Sequence, residues 1–182
     1  MTIGFALNRS LQVAQLTRDV GRMFVRGVDF SELPNQELIV GSASRPQIPA
    51  LARGLGMAAP NGTATGGTTG NGVLVFSILT RMPSNCGCSN AGLIVLTRRI
   101  IVGNKTLYTS PYGNPTATLI NTSTGAVSNY ANEVTARASS FASILNLGSS
   151  ELAYMVESKF VYPDLAMAGI FTSPEVFWRV VF

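Results

Sequence analysis

The first 32 residues of the chain carry the apolar pattern of a long amphipathic helix. Two adjacent stripes recur at steps of three and four residues, which places each stripe on one face of a 3.6-residue helix. The first stripe comprises Ile3, Leu7, Leu11 and Ala14, and the second comprises Val13, Leu16, Val20 and Phe24. The pattern predicts a helix over residues 3–28, and Pro34 disfavours helical backbone just before it. Because the pattern is already under way at Ile3, we expect the lower half of a longer helix whose upper half is absent.

Four longer strands are predicted in the remainder of the chain, joined mostly by loops. The strand segments are rich in β-branched residues, or alternate with period two, and are bounded by turn residues. They are residues 72–82, 91–102, 151–162 and 175–182. Shorter expected elements are helical pieces at 35–40, 48–55 and within 132–146, a strand at 106–110, and a hairpin near 121–125. On the third long strand we expect Leu152, Tyr154, Val156, Ser158, Phe160 and Tyr162 to share one face.

This order of elements predicts an α+β fold, in which the long N-terminal helix packs on a mostly antiparallel sheet of about four strands. We expect a single pilin-like domain over residues 1–182. Its parts are a helical stem at 1–33, short helices and a Gly-rich loop at 34–72, and the sheet with its loop excursions at 73–182.

The surface chemistry favours an exported protein. Charged residues make up 12% of the chain, about half of the usual share, and neutral polar residues replace them. No run of about 18 apolar residues is present to span a membrane. The net charge of +4 is scattered rather than massed, so we expect no nucleic-acid partner. These features predict an extracytoplasmic location, in the periplasm or at the cell surface.

The chain contains no histidine. Its absence removes the Ser-His-Asp and Cys-His mechanisms, the commonest general base and the commonest metal ligand. We therefore expect no enzymatic activity, no metal site and no cofactor. Glu157 lies among apolar residues, and we expect it to be buried in a structural ion pair with Arg99 or Arg179.

Cys86 and Cys88 are the two cysteines of the chain. A zinc site would need about four ligands, and no second pair is present. A redox dithiol would lack the helix N-terminus that lowers a thiol pKa. The favoured reading is a small disulfide at the tip of a hairpin in an oxidising compartment, and bonding between chains is the alternative.

Two further features have both a functional and a plain interpretation. Arg18, Arg22 and Arg26 are four residues apart and line one helical face. They either dock a neighbouring subunit or a phosphate, or form a solvated face supported by Asp19 and Asp29. The Gly-rich segment 60–72 leads into a strand, and no lysine follows it, so a flexible surface loop is favoured over a nucleotide site.

The segment ALNRSLQVAQLTRDVGRMFVRGVDFS resembles the region that follows the membrane segment of TadE-like pilus assembly proteins, which are pseudopilins of the tight-adherence system. The block RDVGRMFVRG is the most specific part of this resemblance. The segments GLGM, TRRIIVGN and ELAYMVES and the terminal aromatic strand ending in Phe182 agree in order.

The resemblance implies a structural component of a surface pilus or pseudopilus, whose partners are other pilin subunits, either further copies or TadF-like proteins. It also implies a membrane anchor in an N-terminal segment that this sequence lacks. We expect assembly through one helix face, formed by Leu7, Leu11, Ala14, Arg18, Arg22 and Arg26. The alternative is an adhesin-like surface module that binds a ligand with its Gly/Thr-rich and Asn/Thr-rich loops.

Overall fold

A computed structural model gives the fold of residues 2–42, 46–47, 50–163 and 175–182. It is an α+β fold in which a long N-terminal helix is followed by a five-stranded, mostly antiparallel sheet. The helices are α1 (Thr2–Val25) and α2 (Leu33–Val40). The strands are β1 (Thr65–Gly67), β2 (Gly72–Arg81), β3 (Ile94–Asn104), β4 (Leu152–Val161) and β5 (Glu175–Val181).

The strands lie in the order β1-β3-β2-β4-β5. The four predicted long strands form β2 to β5 and pair antiparallel. The prediction that residues 60–72 form only a flexible loop is wrong. Residues 65–67 of that segment pair parallel with β3, with Thr65 opposite Ile101 and Gly67 opposite Asn104. Between them, Gly66 has a φ of +66°, a conformation that glycine adopts at little cost.

Three predicted short elements differ from the structure. Instead of a strand at 106–110, residues 105–107 form a 3₁₀ turn, because the Asn104 side chain accepts a hydrogen bond from the Thr106 amide at 3.1 Å. Two 3₁₀ turns, Val134–Ala136 and Ser139–Ser143, replace the expected helix within 132–146. Residues 51–54 form turns rather than helix, and residues 48–49 of that prediction lie outside the described residues.

The small hairpin near 121–125 is confirmed. The Asn121 amide donates to the Ala126 carbonyl at 2.9 Å, and the Ser128 amide donates to the Leu119 carbonyl at 2.8 Å. This hairpin lies within the loop excursion of residues 111–130.

The helix α1 packs its second apolar stripe on one face of the sheet. Val13, Leu16, Val20 and Phe24 are buried together with Leu74, Phe76, Ile100, Val156 and Phe160. The Phe24 and Phe76 rings meet edge to face with centroids 5.3 Å apart. A buried hydroxyl pair, Thr17 and Ser158 at 2.7 Å, fixes the helix against β4. The predicted face of β4 is confirmed from Tyr154 to Tyr162, whereas Leu152 is 54% exposed.

The end of α1 is set by Gly27 rather than by Pro34. The Gly27 amide donates to the Phe24 carbonyl at 3.0 Å, and the Val28 amide donates to the Met23 carbonyl at 3.1 Å. With the φ of Gly27 at +92°, this is a Schellman ending. The helix therefore stops at Val25, three residues before the expected position.

The opposite face of the sheet carries a second core beneath the loops of residues 111–147. Leu79, Leu96 and Met155 from the strands pack against Tyr112 and Phe141 from the loops. The Tyr112 and Phe141 rings meet edge to face at 5.6 Å. The long loop excursion is thus attached to the sheet by its own apolar residues.

An ion pair joins the turn after α1 to the sheet. Arg98 Nη2 on β3 donates to both carboxylate oxygens of Asp29 at 2.7 Å. The predicted support of Arg26 by Asp29 is therefore replaced by a contact with Arg98. Partial burial raises the pKa of the Asp29 carboxyl, but the hydrogen bonds from Arg98 and Ser31 outweigh it and hold the pKa below its ordinary value of 3.8.

We expect the Asp29→Asn variant to be less stable than the wild type at neutral pH by roughly 1 kcal/mol. A carboxyl with a lowered folded-state pKa stabilises the fold above its unfolded-state pKa and loses this contribution as the pH falls through the folded-state pKa. The difference in the free energy of unfolding between Asp29→Asn and the wild type should therefore shrink as the pH falls from 6 to 2.5. Urea denaturation at each pH measures this difference. Arg98→Gln should show the same trend, and a gap that stays constant with pH would contradict the assignment.

Candidate functional site

The first apolar stripe of α1 divides between solvent and core. Leu7 is 62% exposed and Leu11 is 61% exposed, whereas Ala14 is 6% exposed and belongs to the core. The side chain of Ile3 lies outside the described part of the chain. None of the side chains at 7–12 is buried. Leu7 and Leu11 lie in solvent, whereas Arg9 donates to the Gly54 carbonyl and lies over the Tyr162 ring.

The exposed leucines continue into a basic strip along the same side of α1. Leu7, Leu11, Arg18, Arg22 and Val25 follow one another at steps of four, seven, four and three residues, which keeps them on one helical face. All five side chains are exposed. We call these five residues the outer ridge. Val25 was not among the residues expected to form the interface.

The arginines of the predicted interface are held loosely. Arg22 lies 4.0 Å from Asp19 across one helical turn, and its side chain is 66% exposed. Arg26 follows the last residue of α1 and is exposed, where its charge complements the helix dipole. The structure thus brings Arg18 and Arg22 onto the ridge with Leu7 and Leu11. It leaves Ala14 in the core and Arg26 at the end of the helix.

Cys86 and Cys88 lie in the loop that joins β2 and β3, and their sulfur atoms are at disulfide distance. Their Cα atoms are 5.2 Å apart, within the usual range for such a bond. Between them, Gly87 has a φ of +63°. The pair forms a small covalent loop at the hairpin tip, away from α1.

Glu157 is fully buried in the face of β4 that α1 does not cover. Its Oε1 accepts from Arg179 Nε at 2.9 Å and from the Tyr108 hydroxyl at 2.7 Å. Its Oε2 is buried without a hydrogen-bond partner among the described residues. Of the two expected partners, Arg179 forms the ion pair, because β5 places it directly opposite Glu157.

The environment of Glu157 shifts the pKa of its neighbours. Burial raises the pKa of Tyr108, and the hydrogen bond to Glu157 raises it further. Partial burial lowers the pKa of Arg179, but its hydrogen bond to Glu157 outweighs this and the net shift is upward. Each group is thereby kept in its ordinary protonation state, as expected of a structural ion pair rather than an acid–base site.

A cleft of about 580 Å³ opens where the Gly/Thr-rich segment meets the Asn/Thr-rich loop. β1, β3, the 105–107 turn and residues 114–122 form its walls. Among the described residues, the polar ones that line it include two cations and no Asp or Glu. They are Thr65, Arg99, Lys105, Asn114, Thr116 and Thr122.

The guanidinium group of Arg99 is fixed beside this cleft. Its Nη1 and Nη2 donate to the carbonyls of Gly113 and Tyr112 at 2.6 and 2.8 Å. Burial lowers the pKa of Arg99 to about 10, and the charges of Glu157 and Tyr108 oppose this shift. Arg99 therefore keeps its positive charge at neutral pH.

Both loops that line this cleft could be identified from the sequence, but the contact between the two loops could not. The contact depends on the parallel pairing of β1 with β3, which brings residues 64–65 next to the Thr122 carbonyl and Ile101. A Gly-rich segment gives no propensity signal for such a strand. Lys105, between the predicted strands at 91–102 and 106–110, was a visible sign of a charged lining.

In the ranges that the structure describes, no helix is long and apolar enough to cross a membrane. Over those same residues, no group of three or more His, Cys, Asp or Glu side chains could hold a metal ion. Comparison of the chain with protein-family models, with curated proteins and with solved structures gave no match.

Proposed function

We propose that this chain is a non-enzymatic structural or assembly component of a surface pilus or pseudopilus, located outside the cytoplasm. It associates with neighbouring subunits through α1. The observation that carries this proposal is the outer ridge, which presents two leucines more than 60% exposed on a helix whose opposite face packs on the sheet from Val13 to Phe24.

The architecture supports the proposal because the helix has two apolar stripes. The sheet covers one stripe, and Leu7 and Leu11 of the other stripe are left in solvent. Apolar residues that stay exposed on a second side of a helix indicate a surface that packs against another partner. The resemblance of RDVGRMFVRG to TadE-like pseudopilins supports another pilin-type subunit as that partner, either a second copy or a TadF-like protein.

The basic half of the outer ridge indicates which kind of surface it meets on the neighbouring subunit. Arg18 and Arg22 have exposed side chains, and the exposed carboxylates of the chain include Glu32, Glu151 and Glu175, which lie outside α1. A ridge that meets a different surface of the next copy forms a heterologous contact, and repeated heterologous contacts build open filaments rather than closed dimers. The proposed occupant of the ridge is therefore a second copy of this chain, displaced along the fibre.

Site-specific photo-crosslinking tests this proposal. The photoreactive amino acid benzoylphenylalanine at position 11 is expected to capture a second copy of the chain in concentrated solution. The same probe at position 152, where Leu152 is also exposed, is expected to give no crosslink to a second copy. Equal capture at the two positions, or capture at neither, would overturn the proposal.

A second candidate function is that of a surface binding module. The cleft favours it, because the Gly/Thr-rich and Asn/Thr-rich loops meet there around a cavity of about 580 Å³, a size typical of small-molecule sites. Replacing residues 114–118 with a Gly/Ser segment of equal length is expected to abolish ligand binding and to leave self-association unchanged. Loss of self-association in this variant would count against separate roles.

A further inference from the structure

We infer that the cleft between β1, β3 and residues 114–122 binds a sugar acid, that is, a hexuronic acid either free or as a unit of a polysaccharide. This inference rests on the second candidate function and is independent of assembly through α1. It follows from the charge, the hydroxyl content and the apolar surface of the cleft.

The charge of the lining is positive. Arg99 and Lys105 both line the cleft, and none of the described residues that line it is a carboxylate. Among the described residues neither cation forms a salt bridge. Arg99 is held by carbonyl oxygens, is 4% exposed and interacts with the charge of Glu157. Lys105 is the exposed cation of the lining, and an anionic group on a ligand would pair with it.

The remaining polar groups suit hydroxyls. The lining offers three hydroxyl groups that can each donate and accept hydrogen bonds, those of Thr65, Thr116 and Thr122. The side-chain amide of Asn114 can also do both. Thr65 and Thr116 bond loosely to neighbouring threonines, at 3.3 and 3.1 Å, which leaves their hydroxyls with further capacity. A ligand with several hydroxyl groups matches this set better than a simple carboxylic acid does.

The apolar part of the lining suits the ring of a sugar. Ile101, Pro115 and Ile120 contribute side chains to the walls, and the C–H face of a pyranose packs well on such surfaces. The cavity of about 580 Å³ lies in the range of roughly 300–1,000 Å³ found for small-molecule sites. One or two sugar units therefore fit, whereas a large macromolecular surface does not.

Titration of the isotope-labelled chain, followed by amide NMR, tests the inference. Galacturonate and glucuronate are expected to shift the signals of residues 114–122, whereas galactose and glucose at the same concentrations are expected to leave them in place. The variant Lys105→Gln should bind galacturonate about tenfold more weakly. Lys105 is exposed, so this variant is expected to fold normally.

The matched control is Arg18→Gln, which removes the same charge from the outer ridge and should bind galacturonate as the wild type does. Polygalacturonate distinguishes a free hexuronic acid from a unit of a polysaccharide. Tighter binding of the polymer than of galacturonate supports a polysaccharide unit, and binding of galacturonate alone supports a small metabolite. Equal shifts from neutral and acidic sugars would overturn the inference but keep the binding module. The absence of any shift, or an unchanged affinity in Lys105→Gln, would also overturn it, and photo-crosslinking at position 11 would still test assembly separately.

Discussion

Replacing Arg179 with methionine is expected to lower the free energy of unfolding by about 3 kcal/mol, the lower end of the range for breaking a buried ion pair. Glu157 is fully buried, and Arg179 lies directly opposite it on β5 with its Nη2 2.8 Å from Oε1. Without Arg179 the carboxylate keeps the Tyr108 hydroxyl but loses its counter-charge. The lower end of the range applies because the Arg179 side chain is 25% exposed.

Chemical and thermal denaturation of four proteins isolate this effect. Arg179→Met should unfold at a melting temperature roughly 6–12 °C below that of the wild type. Glu157→Leu/Arg179→Met removes both charges and should recover most of the loss. Arg18→Met removes an exposed arginine from α1 and should change the stability by less than about 0.5 kcal/mol. If Arg179→Met were as stable as Arg18→Met, or if the double variant were the least stable, the ion pair would not have its assigned role.

Replacing Leu7 and Leu11 together with glutamine is expected to weaken self-association roughly a hundredfold, which corresponds to about 3 kcal/mol for two leucines withdrawn from an apolar contact. Both side chains are more than 60% exposed in the isolated chain, so the fold itself loses little. Light scattering over a concentration series measures the change, and thermal unfolding of the dilute protein confirms that the fold is intact.

The control for this prediction is Leu93→Gln/Leu152→Gln. These leucines are also exposed but lie at the ends of the strands rather than on α1. This pair is expected to associate as the wild type does. If both double variants associated equally weakly, general surface hydrophobicity rather than the outer ridge would drive association.

The sequence predicted the elements whose signals are local. The β-branched runs at 72–82 and 91–102 became β2 and β3 within a few residues, because strand propensity and flanking turns depend on neighbours in the chain. The second stripe of α1 was predicted residue by residue, since helical spacing alone decides which side chains share a face. Its end was misplaced because Gly27 can adopt a positive φ and terminates the helix before Pro34 acts.

The elements that were missed depend on contacts distant in sequence. β1 consists of Thr65, Gly66 and Gly67. Its two glycines are depleted in strands, and the segment becomes a strand through pairing with β3. The 105–107 turn arises from one side-chain cap, Asn104, which competes with the extended backbone predicted there.

The difference between local signals and contacts distant in sequence also applies to the candidate sites. Burial of Glu157 could be predicted from its apolar neighbours, but the choice between Arg99 and Arg179 depended on strand order, which places β5 beside β4. The exposure of Leu7 and Leu11 required the position of the sheet along the helix, because both stripes look alike in sequence. The cleft required three segments, near residues 65, 100 and 115, to meet, and no local pattern encodes that meeting.

Sedimentation equilibrium of the wild-type chain tests the central claim, which is that α1 drives assembly. At low concentration we expect the mass of a single chain, 19.2 kDa. As the concentration rises, the average mass should grow past the dimer without a plateau, since a heterologous contact does not close. In Leu7→Gln/Leu11→Gln this growth should begin only at much higher concentration. A single mass of 19.2 kDa throughout the series, or growth unaffected by the double substitution, would contradict the claim.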